Sequence, residues 1–202
     1  MAVLRGTFLI LLQAILLPGT FVVTDTGTYP PESGVFGLLL TLYSISAFVS
    51  VYCRWQMVSN HSMGSRTIPH LNNCGLLLGS LAALGTLLVA CFQETSQITL
   101  HLIGAFLAFI LVCGYMWLHA GLTHSVATLP GHSRWLGHLR LGLAAAATVS
   151  VVGYDMHVVS AAFEWALAGL VSIYFLTFCL EFRHINVGMP VVTAVPAAKE
   201  RN

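Results

Sequence analysis

The chain has 202 residues, of which 57% are hydrophobic and 7% charged, with a mean hydropathy of +0.85 and a net charge of +1. Soluble globular proteins carry about 25% charged residues, so a soluble domain is excluded and an integral membrane protein is indicated. The near-neutral balance offers nothing to nucleic acid, and the length holds about six spans of roughly 20 residues with short loops.

Six apolar runs follow one another, at 6–23, 35–53, 73–92, 99–122, 135–154 and 158–180. Each is near the length a helix needs to cross hydrocarbon. The expected fold is therefore all-α: one polytopic bundle of about six transmembrane helices over residues 1–184, with a short cytosolic tail at 185–202. The first run, led by Arg5, also has the form of a signal peptide; a retained helix is expected, bent or ended at Pro18. The fifth is the weakest, since its uncharged core spans only 141–152. His138 and Arg140 must then snorkel to the interface.

With both termini in the cytosol, Arg5, Arg54, Arg66, Arg134, Arg140, Arg183, Lys199 and Arg201 all fall on the cytosolic side. Asp25, Glu32, Glu94 and Asp155 fall on the other, with no basic residue. This partition follows the positive-inside rule. It places the sequon Asn60-His61-Ser62 in the cytosol, where it stays unglycosylated.

Between the first two runs lies TDTGTYPPESG. Asp-Thr-Gly carries the carboxylate of aspartic proteases, but that chemistry needs two acids sharing a proton. There is a single copy, so the stretch reads as a rigid elbow. Asp25 suits a local side-chain turn, Pro30 and Pro31 suit the first turn of the next helix, and Glu32 complements that helix's positive end. Gly75 and Gly79, extended by Ala83, and Gly104 with Ala108 have the small-xxx-small spacing that lets membrane helices approach closely. Packing within one bundle is favoured over a dimer face, and the oligomeric state is left open.

Glu164 lies about two turns into the sixth run, where a carboxylate costs on the order of 3 kcal/mol. It should face the interior with His157, Ser160, Ala161, Ala168 and Ser172, while Phe163, Trp165 and Ile173 point away. His101 and Tyr154 are its expected partners. A register-fixing polar clamp is preferred to a proton, ion or lipid site, because no second membrane carboxylate is apparent. The nine histidines show no metal-ligand spacing, and the five cysteines read as buried hydrophobes. No nucleophile elbow, P-loop or dinucleotide fingerprint occurs, so no metal, cofactor or catalytic residue is expected.

The blocks TDTGTYPPESGVFG, YCRWQMV, NNCGLLLGSLAALGTLLVACFQE, HLIGAFLAF and VVSAAFEWALAGLVSIYFLTFCLEFRHI resemble the damage-regulated autophagy modulator family, including its transmembrane protein 150 branch. The likeness runs from about residue 24 to 184. HLIGAFLAF and LRLGL look nearest to the branch called modulator of macroautophagy. The resemblance implies six spans, a role in promoting or tuning autophagy, and residence in lysosomal, endosomal or plasma membranes. It implies membrane lipids and other membrane or autophagy proteins as partners. It supplies no catalytic residues. The chain departs from the family in a shorter segment before the Asp-Thr-Gly block and a shorter loop between runs five and six. The alternative to such a modulator is a channel or transporter subunit with Glu164 lining a polar path.

Overall fold

The structure is a computed structural model and describes residues 3–21, 31–62, 65–153 and 160–188. The apolar runs fold as α1 (Gly6–Phe21), α2 (Glu32–His61), α3 (Thr67–Cys91), α4 (Ile98–Ser125), α5 (Arg134–Gly153) and α6 (Ser160–Leu176), with one further turn, α7 (Cys179–Phe182). Among the described residues, α2 to α5 and the stretch Ala162–Phe182 are long and apolar enough to cross a membrane; α1 is a shorter apolar helix. The molecule is thus an all-α, multi-pass membrane protein. Two three-residue strands, β1 (Val3–Arg5) and β2 (Asn186–Gly188), pair antiparallel with Leu4 opposite Val187.

Each helix packs on its neighbours in sequence, and α6 closes the circle against α1. Short connections make successive helices antiparallel. Contacts at opposite ends confirm it: Trp55 bonds Asn73, while Ser44 bonds the Ala83 carbonyl. Lipid supplies no hydrophobic drive between helices, so close backbone approach and polar bonds must hold the ring. Both are present. Gln13 donates to Ser50 (α1–α2, 2.7 Å), Trp117 to Thr148 (α4–α5, 2.9 Å), and the Tyr174 hydroxyl to the Met116 carbonyl (α6–α4, 2.8 Å). Asn72 on α3 bonds both the Trp55 carbonyl and Ser59 on α2.

The expected small-residue faces lie at these seams. A Cβ on Gly75 would meet His119 at 2.7 Å, and one on Gly79 would meet Val51 at 2.7 Å. Gly104 backs onto Gly85, where an added Cβ would fall 2.5 Å from the Ala108 nitrogen. Gly85 lies outside the small-xxx-small pattern, with Leu81 and Val89 four residues to either side.

The helices outrun the apolar stretches. α2 continues to His61 and α5 starts at Arg134, because helical hydrogen bonding does not stop where hydropathy falls. The sixth run breaks at Thr177–Phe178. There the Thr177 hydroxyl bonds back to the Tyr174 carbonyl at 2.7 Å, competing with the helical ladder. Pro31 immediately precedes α2, and Glu32 is its first residue, at the positive end of the helix. Asp25, Pro30 and His157 lie outside the described residues.

The β1–β2 ladder brings the start of α1 beside the end of α7, at the same end of the ring as exposed Arg66, Arg134 and Arg183. This is the basic end. Glu32 and Glu94 mark the opposite, acidic end.

Candidate functional site

One face of α4 carries Tyr115, His119 and Thr123, four residues apart and so stacked on one another. The end of α6 and α7 presents Tyr174, Thr177, Phe178 and Glu181 with the same periodicity. Arg54 enters from α2 and Arg140 from α5. All converge inside the basic end. Arg54, Arg140 and Glu181 are each 0% exposed.

Glu181 joins the two arginines. Its carboxylate takes a forked pair of hydrogen bonds from Arg140, Nη1 to Oε1 at 3.1 Å and Nη2 to Oε2 at 2.8 Å. Arg54 Nη1 lies 2.7 Å from the same Oε2. The hydroxyls complete the network. Thr123 Oγ1 accepts from Arg140 Nη1 at 2.7 Å and from Arg54 Nη2 at 3.2 Å, and donates to the His119 carbonyl. Thr177 Oγ1 accepts from Arg140 Nε at 2.8 Å. The Phe178 ring lies under both guanidinium groups, at 4.6 Å for Arg140 and 5.3 Å for Arg54, which favours cations on its face. Arg140 is almost saturated. Arg54 Nε, by contrast, finds no partner among the described residues.

Two guanidiniums against one carboxylate leave the cluster with one formal positive charge. A buried ion pair is tolerable only when forked bonds and further donors or acceptors offset desolvation. That condition is met for Arg140 and only partly for Arg54. The cluster ties α2, α4, α5 and α7 at one point.

This corrects the expectation that Arg140 snorkels to the interface. It turns inward because Glu181 and two threonines meet it there. It also corrects the reading that no second carboxylate lies in the bundle. Glu181 follows the last apolar run by one residue, so hydropathy alone does not mark it as part of the bundle. The signal was the shared face: Tyr174, Phe178 and Glu181 fall at i, i+4 and i+7.

Glu164 occupies the acidic end, about 25 Å along the helix from Glu181 at 1.5 Å per residue. It is half-buried and lines two cavities, one on the ring's axis and one between α4, α5 and α6. Among the described residues its carboxylate has no hydrogen bond or salt bridge. His101 and Glu94 are close enough to act on it electrostatically. His101 does not bond it; its Nδ1 lies 2.8 Å from the Phe92 carbonyl, to which it donates. Ala168 shares the axial cavity wall as expected, and Ile173 faces outward. Trp165 does not point away: it lines the axial cavity, since the inward arc of α6 is wider than one row of residues. Tyr154 lies outside the described residues. The structure thus brings Glu164 and His101 to the same end, and leaves Pro31 and Glu32 at the start of α2. Among the described residues no group of His, Cys, Asp and Glu is placed to hold a metal.

Residues 21–185 match the family model described as the Frag1/DRAM/Sfk1/Cwh43P N-terminal domain. The chain belongs to this family. Relatives agree. Modulator of macroautophagy TMEM150B-B of Xenopus laevis is 34% identical over 170 residues, covering 81% of this chain and 71% of the relative. DNA damage-regulated autophagy modulator protein 1 of Xenopus laevis is 29% identical over 82% of this chain and 78% of the relative. DNA damage-regulated autophagy modulator protein 2 of Rattus norvegicus is also 29% identical, over 82% of this chain and 72% of the relative. No solved structure matches. The match spans every helix from α2 to α7, so the Arg54–Glu181–Arg140 cluster and Glu164 both lie within the family domain.

Proposed function

We propose that this Frag1/DRAM-family protein modulates autophagy as a non-enzymatic multi-pass membrane protein, acting through contacts with other membrane proteins or with membrane lipid. The carrying observation is the likeness to proteins named modulators of autophagy over about four-fifths of the chain. The architecture is compatible with it. Among the described residues the strongest polar interactions lie in the Glu181 cluster, which ties helices together. The membranes proposed are lysosomal, endosomal or plasma membranes. The basic end is proposed to face the cytosol, because exposed Arg66, Arg134 and Arg183 gather there.

Overexpressing a tagged copy tests this. Turnover of an autophagosome marker should change, and the tag should lie on one of those membranes. Unchanged turnover with the protein correctly placed in membrane would remove the proposal.

A further inference from the structure

A closed ring of helices leaves room on its axis, and here the room is partly filled and partly empty. The axial cavity has a volume of about 150 Å³ and is walled by α1, α2, α3, α4 and α6. Leu40, Val51, Ala82, Val112 and Val171 make it apolar. A largely apolar cavity of this size accepts a slender apolar body. Towards the basic end it is closed by Tyr115 and Phe175, stacked with centroids 6.0 Å apart.

A second cavity, about 200 Å³, lies between α4, α5 and α6. Its lining includes Leu102 and Phe106, which are 51% and 61% exposed on the face of α4 that the lipid covers. Phe109 and Glu164 line both cavities. Glu164 therefore stands in the wall between a lipid-facing cleft and the axial space.

A carboxylate in the wall of both cavities, without an ion-paired partner among the described residues, accepts an ammonium and repels a second carboxylate; Glu94 adds to this preference and the nearby His101 opposes it. The axial volume suits an alkyl chain, not a sterol ring system. We propose that the two cavities bind one long-chain amine from the membrane. Its ammonium rests on the Glu164 carboxylate, and its chain passes Phe109 from the lateral cleft into the axial cavity. This names a ligand class for the lipid contact in the function proposed above, and it stands on the two cavities and the Glu164 carboxylate that lines both.

The test uses the purified full chain in lipid nanodiscs with a long-chain primary amine carrying a mid-chain diazirine. The matching long-chain acid and a diazirine sterol serve as comparisons. Irradiation should attach the amine to α4 and α6 peptides around Phe109 and Val171, with the unlabelled amine competing. Glu164→Gln, nearly the same size, should lower this labelling about tenfold. Ala168→Phe, which fills the axial cavity, should abolish labelling near Val171 while the thermal transition persists. Equal labelling by the acid, preferred labelling by the sterol, or amine labelling indifferent to Glu164→Gln would each overturn the proposal. This assay reads purified protein and the autophagy assay reads cells, so either reading can fail without the other.

Discussion

Replacing Glu181 by glutamine would leave Arg54 and Arg140 buried side by side with no counter-charge. Breaking a buried ion pair from one side costs about 3–5 kcal/mol, and the forked bonds from Arg140 put this one at the strong end. Glu181→Gln should therefore lower the thermal unfolding transition in detergent sharply. Replacing all three charges at once, as Arg54→Met, Arg140→Met and Glu181→Leu, should recover most of the loss, because a matched apolar set owes no desolvation. If the triple variant is as unstable as Glu181→Gln, the residues act through shape and not charge. The single residues show where a sequence is hard to read. Glu164 stands out because apolar neighbours surround it. Arg54, Arg140 and Glu181 each sit at the edge of an apolar run, where a charge is ordinarily solvated. Only the three-dimensional meeting of those edges turns them into one buried network.

Among the helices, the α3–α4 seam is the tightest. A Cβ on Gly85 would fall 2.5 Å from the Ala108 nitrogen and 2.6 Å from the Gly104 oxygen, both main-chain atoms that cannot step aside. Gly85→Leu should separate the two helices and cost at least the 1–3 kcal/mol typical of overpacking, about that range in a soluble core. Gly142 on α5 is the contrast, with nothing within 4 Å of an added Cβ. Gly142→Ala should be neutral or raise stability by up to about 1 kcal/mol through backbone entropy. Comparing the two melting transitions checks the seam; equal transitions would refute it. Helices were the most legible level of the sequence, because about 20 apolar residues have few other uses. Their ends were less so. Hydropathy marks the hydrocarbon boundary, while α2 and α5 carry their hydrogen bonds past it into polar sequence. Gly85 escaped because its partner, Gly104, is on another helix, and spacing along one chain cannot reveal a pair across two.

At the scale of the whole molecule, sequential packing of α1 to α6 and closure of α6 on α1 put both described chain ends at one end of the ring. The exposed arginines then sort to that end and Glu32 and Glu94 to the other, the distribution from which the positive-inside rule yields the proposed orientation. A cysteine introduced at exposed Thr95, in the turn between α3 and α4, should react with an impermeant maleimide applied from the non-cytosolic side. One at exposed Ser133, before α5, should react only after permeabilisation. The reverse pattern would invert the orientation. The sequence blocks by themselves resemble the family, and the match over residues 21–185 bears this out. What those blocks could not convey is the empty axis. A cavity is made by side chains from five helices at once, and none of the five marks it alone.

Autophagic flux in cells deprived of this protein tests the functional proposal most directly. Turnover of an autophagosome marker, measured with and without lysosomal inhibition, should shift on depletion and return when the wild-type chain is restored. Flux that is the same in depleted, restored and unaltered cells would contradict a modulator of autophagy.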